Sequence, residues 1–154
     1  MQIDRVDEKE FAKWRIQIER LLNISVSINF PDCSDNEEYG ARKCDELERY
    51  IKDGSAIVYA ATEEDSLMGW IWAHHIERVN GKRLHIAEIA VDKSFQGKGV
   101  GKQLLKTIET YARKHHYHEI DLLVTKSNTT AVLFYTDSDF EIERLLLKKL
   151  LLDE

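Results

Sequence analysis

Three glycines at alternate positions, Gly97, Gly99 and Gly101, lie between a predicted strand and a predicted helix. Glycine puts no side chain between the backbone and a ligand. The first amides of a helix have no partner inside the helix, so they bind phosphate readily. Four lysines lie in the same segment with no acidic residue between them: Lys93, Lys98, Lys102 and Lys106. The sequence therefore predicts an anion site at the start of this helix, with a plain glycine-rich turn as the alternative.

Two common phosphate-binding patterns do not fit this loop. A P-loop would need glycine at position 96 and Ser or Thr at position 103, where the sequence has Gln96 and Gln103. The dinucleotide pattern G-x-G-x-x-G, begun at Gly97, would need glycine at position 102, where the sequence has Lys102. The glycine loop therefore needs another explanation.

Two segments of the chain together resemble the GNAT superfamily of acyl-CoA-dependent N-acetyltransferases. The segment Gln96-Gly97-Lys98-Gly99-Val100-Gly101 fits the pattern Q/R-x-x-G-x-G/A of that family's pyrophosphate loop, and it follows a similar strand end, Ile89-Ala90-Val91-Asp92. Downstream, Asn128, Ala131, Phe134-Tyr135 and Phe140 resemble the family's N-x-x-A-x-x-x-Y-x-x-x-G-F segment. Asp139 stands where the family has glycine, and we expect it to take the positive φ that favours glycine there.

The resemblance implies an α/β (α+β) GNAT fold, a mixed and mostly antiparallel twisted sheet with helices on both faces. Its fourth and fifth strands, here residues 84–91 and 119–125, would splay apart. The acetyl donor acetyl-CoA would lie in the gap, against the backbone of Ile89, Ala90 and Val91. Its pyrophosphate would bind the loop residues Gln96, Gly97, Lys98, Gly99, Val100, Gly101 and Lys102. Asn128 would contact the cofactor, cap the following helix, or do both.

The resemblance also implies an N-acetyltransferase that moves the acetyl group to a primary amine by direct attack. Tyr135 matches the family's general acid for the departing thiolate, and a core aromatic beside Phe134 is its alternative interpretation. Glu88 lies on the strand beside the expected acetyl site and is the predicted base. Three histidines remain open as alternative bases: His74, His75 and His85. The strand-end amide near Val91 would stabilise the oxyanion.

Composition narrows the class of protein and of partner. A chain of 154 residues, 43% hydrophobic and 32% charged, is typical of a soluble globular protein, and we expect residues 1–154 to form one acetyltransferase domain. The net charge of −6 argues against nucleic acid as a partner and favours a cationic acceptor. No apolar run approaches the roughly 20 residues that span a bilayer, and no secretory signal follows Met1. We therefore expect a cytoplasmic monomer or homodimer that does not bind membranes.

Hydrophobic periodicity predicts the order of the elements. It indicates helices over 8–22 and 37–52, then strands over 56–61, 68–76 and 84–91. After the glycine loop it indicates a helix as far as Ala112, a strand over 119–125, a helix over 128–136 and a closing strand or strand pair over 140–152. The leucines of the last segment would form a buried strand or a subunit interface. Trp70 and Trp72 are expected in the core.

Two further expectations concern thiols and metals. Cys33 and Cys44 are 11 residues apart without metal-ligand spacing, so we expect free thiols in a reducing compartment. No His, Cys, Asp or Glu cluster has the spacing of a metal site, so we expect no metal.

The identity of the acceptor is open, and two alternative functions remain. The acceptor would be a small-molecule or peptide amine, such as a polyamine, an aminoglycoside or a protein amino terminus. A non-catalytic acyl-CoA-binding sensor or regulatory module of the same fold is the alternative function. A transferase for a longer acyl group is a further one.

Overall fold

A computed structural model describes residues 1–33 and 36–152 of the chain. The chain divides into two compact units, Met1–Leu123 and Val124–Glu154, and each is described by itself. The assignment of residues 1–154 to one domain stays a prediction.

The first unit begins with a short strand, which two helices, three strands, a further helix and a last strand follow. Its elements are β1 (Gln2–Arg5), α1 (Glu8–Asn29), α2 (Asn36–Lys52), β2 (Ala56–Glu63), β3 (Ser66–Arg78), β4 (Gly81–Val91), a 3₁₀ turn (Lys93–Phe95), α3 (Val100–Lys114) and β5 (Ile120–Leu122). The strands form one sheet in the order β1-β2-β3-β4-β5. The first four pair antiparallel, whereas β5 is parallel to β4 because α3 carries the chain back across the sheet. The predicted mixed, mostly antiparallel sheet is confirmed.

Helices cover both faces of this sheet, as predicted. Helices α1 and α2 pack on one face, where a cluster of buried side chains forms the larger core: Phe11, Trp14, Ile18, Leu22, Leu47, Val58, Trp70 and Trp72. Side chains alternate along a strand, so the buried Ile57 and Ile71 point to the other face, which α3 covers. The stripe of α3 faces the sheet with Val100, Leu104, Leu105 and Ile108 buried. The prediction that Trp70 and Trp72 lie in the core is confirmed.

Helix α1 is longer than its sequence pattern predicts. The hydrophobic pattern predicts that the helix ends at residue 22. The segment that follows contains the β-branched residues Ile24, Val26 and Ile28, which lower helix propensity. The helix continues to Asn29 because Val26 is buried, only 7% exposed, and packing outweighs propensity. These additional seven residues, about two turns, bring Ser25 within hydrogen-bond distance of Glu88 on β4.

Strand β4 contains a β-bulge at Ala87. Trp72 pairs with Glu88 and Ala73 pairs with Ile86, so Ala87 has no partner on β3. A bulge bends its strand and re-aims the neighbouring side chains. Pairing between β4 and β5 covers only residues 84–86 and 120–122, so it ends immediately before the bulge. The predicted divergence of these two strands is confirmed, although β5 is shorter than the predicted 119–125.

The second unit contains α4 (Thr129–Thr136) and an irregular C-terminal segment. Asn128 caps α4, since its side chain accepts a hydrogen bond from the Ala131 amide at 3.2 Å. Asp139 has a φ of 64°, which confirms the expected positive φ at the position where the family has glycine.

The predicted closing strand over 140–152 is wrong. These residues form no strand, and the leucines at 145–147 and 150–152 are 77% to 87% exposed. A strand needs a neighbouring strand to receive its backbone hydrogen bonds, and the described part of this unit contains no strand. An apolar run by itself does not supply that partner.

Among the residues that the structure describes, no helix is both long and apolar enough to cross a bilayer.

The two cysteines are expected to differ in reactivity. Both are free thiols, with Cys33 exposed and Cys44 buried between α1 and α2. Burial raises the pKa of Cys44 to about 11, so its thiolate is scarce at pH 8. Iodoacetamide at pH 8 should therefore label the folded protein once, at Cys33, and twice after denaturation, as counted by mass spectrometry. Rapid labelling of Cys44 in the folded protein would contradict this packing of α1 on α2.

Candidate active site

The end of β4 has one backbone edge that no strand covers within the described residues. Beyond Ile86, β4 pairs only with β3. The Asp92 amide donates to the Met68 carbonyl of β3 at 2.9 Å. Because alternate residues of a strand point their backbone groups to opposite edges, Ile89 and Val91 present theirs to the uncovered edge. These are two of the three positions at which the resemblance implies contacts with acetyl-CoA, whereas the third, Ala90, directs its backbone groups to β3.

The glycine loop leads from this strand into α3. Gly97 and Gly99 have φ values of 73° and 81°, and Gly99 is the N-cap residue. A side chain added at either position would meet no atom of a described residue within 4 Å, so it would extend away from them. In the described part of the chain, the backbone amides of residues 97–102 donate to no protein acceptor. The four lysines are exposed and form no ion pair with a described residue. The loop can therefore bind an anion.

Asp92 ties the loop to α1. Its carboxylate accepts hydrogen bonds from the Arg20 guanidinium and from the Ser94 amide, the latter at 2.9 Å. These bonds lower the pKa of Asp92 below its usual range. The Gln96 side chain also donates to the Val91 carbonyl at 3.0 Å. The strand end and the loop are thus held against the helix on which Ser25 lies.

Glu88 lies just after the bulge, on the face covered by α1 and α2. It is half-buried opposite Trp72, and its Oε1 atom accepts a hydrogen bond from the Ser25 hydroxyl at 2.8 Å. Burial raises the pKa of Glu88 to about 7, although the Ser25 hydrogen bond and the charge of Lys43 lower it. A carboxyl group with this pKa can accept a proton near neutral pH.

The three histidines lie on the paired part of the sheet. His85 is opposite Asp121, and its Nδ1 atom is 2.6 Å from Oδ1 of that carboxylate. His74 packs against His85 with ring centroids 5.2 Å apart. His75 is exposed and contacts Glu77 at 2.8 Å. Among the four predicted bases, Glu88 is the one on the stretch of β4 that β5 leaves uncovered.

Tyr135 belongs to a small aromatic group in the second unit. Its ring makes edge contacts with Phe134 and Phe140, at centroid distances of 5.2 and 5.6 Å. The ring is half-buried, so it is not a fully buried core residue. Its role as general acid and the cofactor contact of Asn128 stay predictions.

No group of side chains suited to a metal ion occurs among residues 1–33 and 36–152. Sequence reasoning missed Ser25, Arg20 and the bulge at Ala87. A contact between α1 and β4 leaves no local signal in either segment, so periodicity could not reveal it.

The chain is similar to known proteins in sequence and in fold. The profile of the Acetyltransferase (GNAT) family matches residues 17–140. YdhI, an uncharacterized protein of Bacillus subtilis, is 31% identical over 102 residues, which are 66% of this chain and 55% of that protein. The chain spans about half the length of the curated relatives it matches.

Two solved structures share the fold. The aminoglycoside acetyltransferase meta-AAC0020, from an uncultured soil metagenomic sample, superimposes with a TM-score of 0.74 at 19% identity, over 99% of this chain and 96% of that one. A predicted acetyltransferase with acetyl-CoA, from Clostridium acetobutylicum, gives a TM-score of 0.72 at 16% identity, over 96% and 95% of the two chains.

The role of Gly99 in CoA binding can be tested with Gly54 as a control, since the two glycines have the same φ. Gly54 also has a φ of 81° and no protein atom near an added side chain. Asparagine tolerates this conformation, so Gly99→Asn and Gly54→Asn should cost similar stability. Only Gly99→Asn places a side chain beside the backbone amides of residues 97–102, which donate to no acceptor among the described residues. Loss of one hydrogen bond to a charged group, about 1.5–3 kcal/mol, predicts a roughly tenfold to hundredfold weaker CoA affinity by calorimetry. Equal affinities in the two variants would place the CoA site elsewhere.

Proposed function

The chain belongs to the GNAT acetyltransferase family, and we propose that it transfers an acetyl group from acetyl-CoA to a primary amine by direct attack. The observation that carries the proposal is the position of Glu88. This carboxyl group, with a pKa of about 7, lies on the same five-residue strand end as the uncovered backbone edge. The glycine loop with its free amides follows directly.

The first requirement of the reaction is an unprotonated amine. A lysine-like amine has an ordinary pKa near 10.4, so it is mostly protonated at pH 7. Ionised Glu88 takes this proton, directly or through a water molecule, and the nitrogen lone pair becomes available. Burial supports this role because it brings the pKa of the carboxyl group close to neutral pH.

The second requirement is a bound and polarised thioester. The amides of residues 97–102 bind the pyrophosphate, and the exposed lysines add positive charge. The uncovered edge of Ile89 and Val91 pairs with pantetheine. The Val91 amide lies on the same edge and stabilises the oxyanion of the tetrahedral intermediate.

The third requirement is departure of the thiolate. Attack of the amine on the thioester carbonyl forms the C–N bond and the tetrahedral intermediate. Its collapse re-forms the C=O bond and breaks the C–S bond, so that the sulfur takes the electron pair of the broken bond. The nitrogen loses its second proton in this step, which replaces the proton that Tyr135 donates. Tyr135 supplies the proton that converts this thiolate to free CoA. Its match to the family segment and the cap that Asn128 provides for α4 support the proposal.

The acceptor is proposed to be a small-molecule or peptide amine, with a cationic amine favoured by the net charge of −6. A fold relative is an aminoglycoside acetyltransferase, which supports including that class. The test is release of CoA thiol from acetyl-CoA with spermidine, an aminoglycoside and a peptide with a free amino terminus. Turnover with one of them supports the proposal. CoA binding without turnover across all three would favour the non-catalytic sensor.

Glu88→Gln removes the base but keeps the size of the side chain. The wild-type kcat/KM should rise as the pH passes through about 7, because Glu88 is active when ionised. The variant should lack this rise and be roughly 10²–10⁴-fold slower above it. Below pH 6 the difference should narrow, since protonated Glu88 resembles glutamine. Glu77→Gln, an exposed control on β3, should keep the wild-type profile. A wild-type pH profile in Glu88→Gln would turn attention to His85.

Tyr135→Phe removes one hydroxyl and keeps the ring contacts with Phe134 and Phe140. If Tyr135 is the acid, kcat should fall about 10²-fold, the low end for a positioned acid, since the thiolate is a fair leaving group. CoA affinity and thermal midpoint should change little. Tyr111→Phe on α3 is the control for loss of a phenol hydroxyl. An unchanged kcat in Tyr135→Phe would reduce Tyr135 to a packing residue.

A further inference from the structure

The Ser25 hydroxyl forms a different kind of hydrogen bond from three other hydroxyls that lie on helices. Ser27, Thr107 and Thr110 each donate to the backbone carbonyl four residues earlier, at 2.9 Å. This local bond is the usual one for a helical hydroxyl. Ser25 instead donates to Glu88, 63 residues away on β4, at 2.8 Å. The Ser25 hydroxyl proton therefore forms a tertiary hydrogen bond to β4 instead of a local one within the helix.

Asn29 fixes the direction of that hydrogen bond. Its Nδ2 group donates to the Ser25 carbonyl at 2.9 Å and lies 3.4 Å from the Ser25 hydroxyl oxygen. An amide N–H can only donate, so it occupies an oxygen lone pair of the hydroxyl. The hydroxyl proton is left to point at Glu88. The chain Asn29–Ser25–Glu88 thus presents a donor to the ionised carboxylate.

We propose that Ser25, held by Asn29, is a positioning residue that orients the Glu88 carboxylate towards the acceptor amine. The proposal rests on the proposed function of Glu88 as base. Oε1 is occupied by Ser25, and Oε2 has no hydrogen-bond or ion-pair partner among the described residues. One oxygen is therefore anchored and the other is available to take a proton.

The groups that face Glu88 come from three elements. Helix α1 contributes Ser25, α2 contributes Tyr39 and Lys43, and β3 contributes Trp72. Lys43 forms an ion pair with Glu46 at 2.8 Å, which shares its positive charge with another carboxylate. Ser25 is the group that bonds Glu88 directly, so its removal affects both the orientation and the ionisation of the carboxylate.

Removal of the Ser25 hydroxyl should shift the ionisation of Glu88 in a known direction. The hydrogen bond favours the charged form and lowers the pKa against the effect of burial. Ser25→Ala should therefore raise the pKa of Glu88 further, by about one unit. Since the ionised form is active, the acid limb of kcat/KM should move to higher pH by the same amount. This change in ionisation alone gives a loss of about tenfold at pH 6 and none at pH 9, so any loss that persists at pH 9 reports the lost orientation of the carboxylate.

The experiment needs no acceptor for its main readout. Carbon-13 NMR of glutamate-labelled full-length protein follows the Glu88 carboxyl resonance through a pH titration, with Glu88→Gln identifying that resonance. Ser25→Ala should titrate about one unit higher than the wild type, and Ser25→Cys, a weaker donor, should lie between them. Ser27→Ala, on the same helix but with a local bond, should titrate like the wild type. Alanine is the best helix former, so the fold of Ser25→Ala should persist, as circular dichroism would verify.

Two failures remain distinguishable. An unchanged Glu88 titration in Ser25→Ala would overturn the positioning role, whether or not Glu88 is the base. Full activity of Glu88→Gln with the best amine of the panel would overturn the proposed base, and the positioning role in catalysis with it. A shifted titration accompanied by an equally shifted acid limb in Ser25→Ala supports both.

Discussion

The bulge at Ala87 is the irregularity on which the candidate site depends. Over residues 84–86, β4 pairs with a strand on each side, and beyond them β3 is its only partner among the described residues. An extra residue bends a strand and changes where its side chains point. The same short stretch therefore offers a backbone edge for hydrogen bonding and turns Glu88 beneath α1. If pairing with β5 continued past Ile86, it would use these backbone groups and leave none for a ligand.

The two parts of the site have opposite environments. Glu88 is half-buried, and burial holds its pKa near 7 against the hydrogen bond from Ser25 and the charge of Lys43. The glycine loop is exposed, lacks a Cβ at Gly97 and Gly99, and carries free amides at a helix start. A desolvated carboxyl group suits proton transfer, whereas an open positive loop suits a charged cofactor. The tie between Arg20 and Asp92 joins the two parts through α1.

Local features could be predicted from the sequence and the sheet from the resemblance to the family, whereas individual contacts between distant segments could not. The glycine loop follows from residue type and spacing, whereas the positive φ of Asp139 follows from the resemblance to the family segment, and both occur as predicted. The bulge depends on how β3 pairs with β4, and the Ser25–Glu88 hydrogen bond depends on how segments 63 residues apart meet. No local pattern encodes either. The closing strand predicted from the C-terminal leucines is wrong for a related reason. Their composition predicted a strand, but a strand also needs a partner that composition does not provide.

The central claim is that the cofactor binds along the uncovered edge of β4 and the loop that follows, beside Glu88. The most direct measurement is a titration of the ¹⁵N-labelled full-length protein with CoA, followed by amide NMR. The largest chemical-shift changes should fall on the amides of residues 97–102 and on those of Ile89 and Val91. Shifts confined to other parts of the chain at saturating CoA would contradict it.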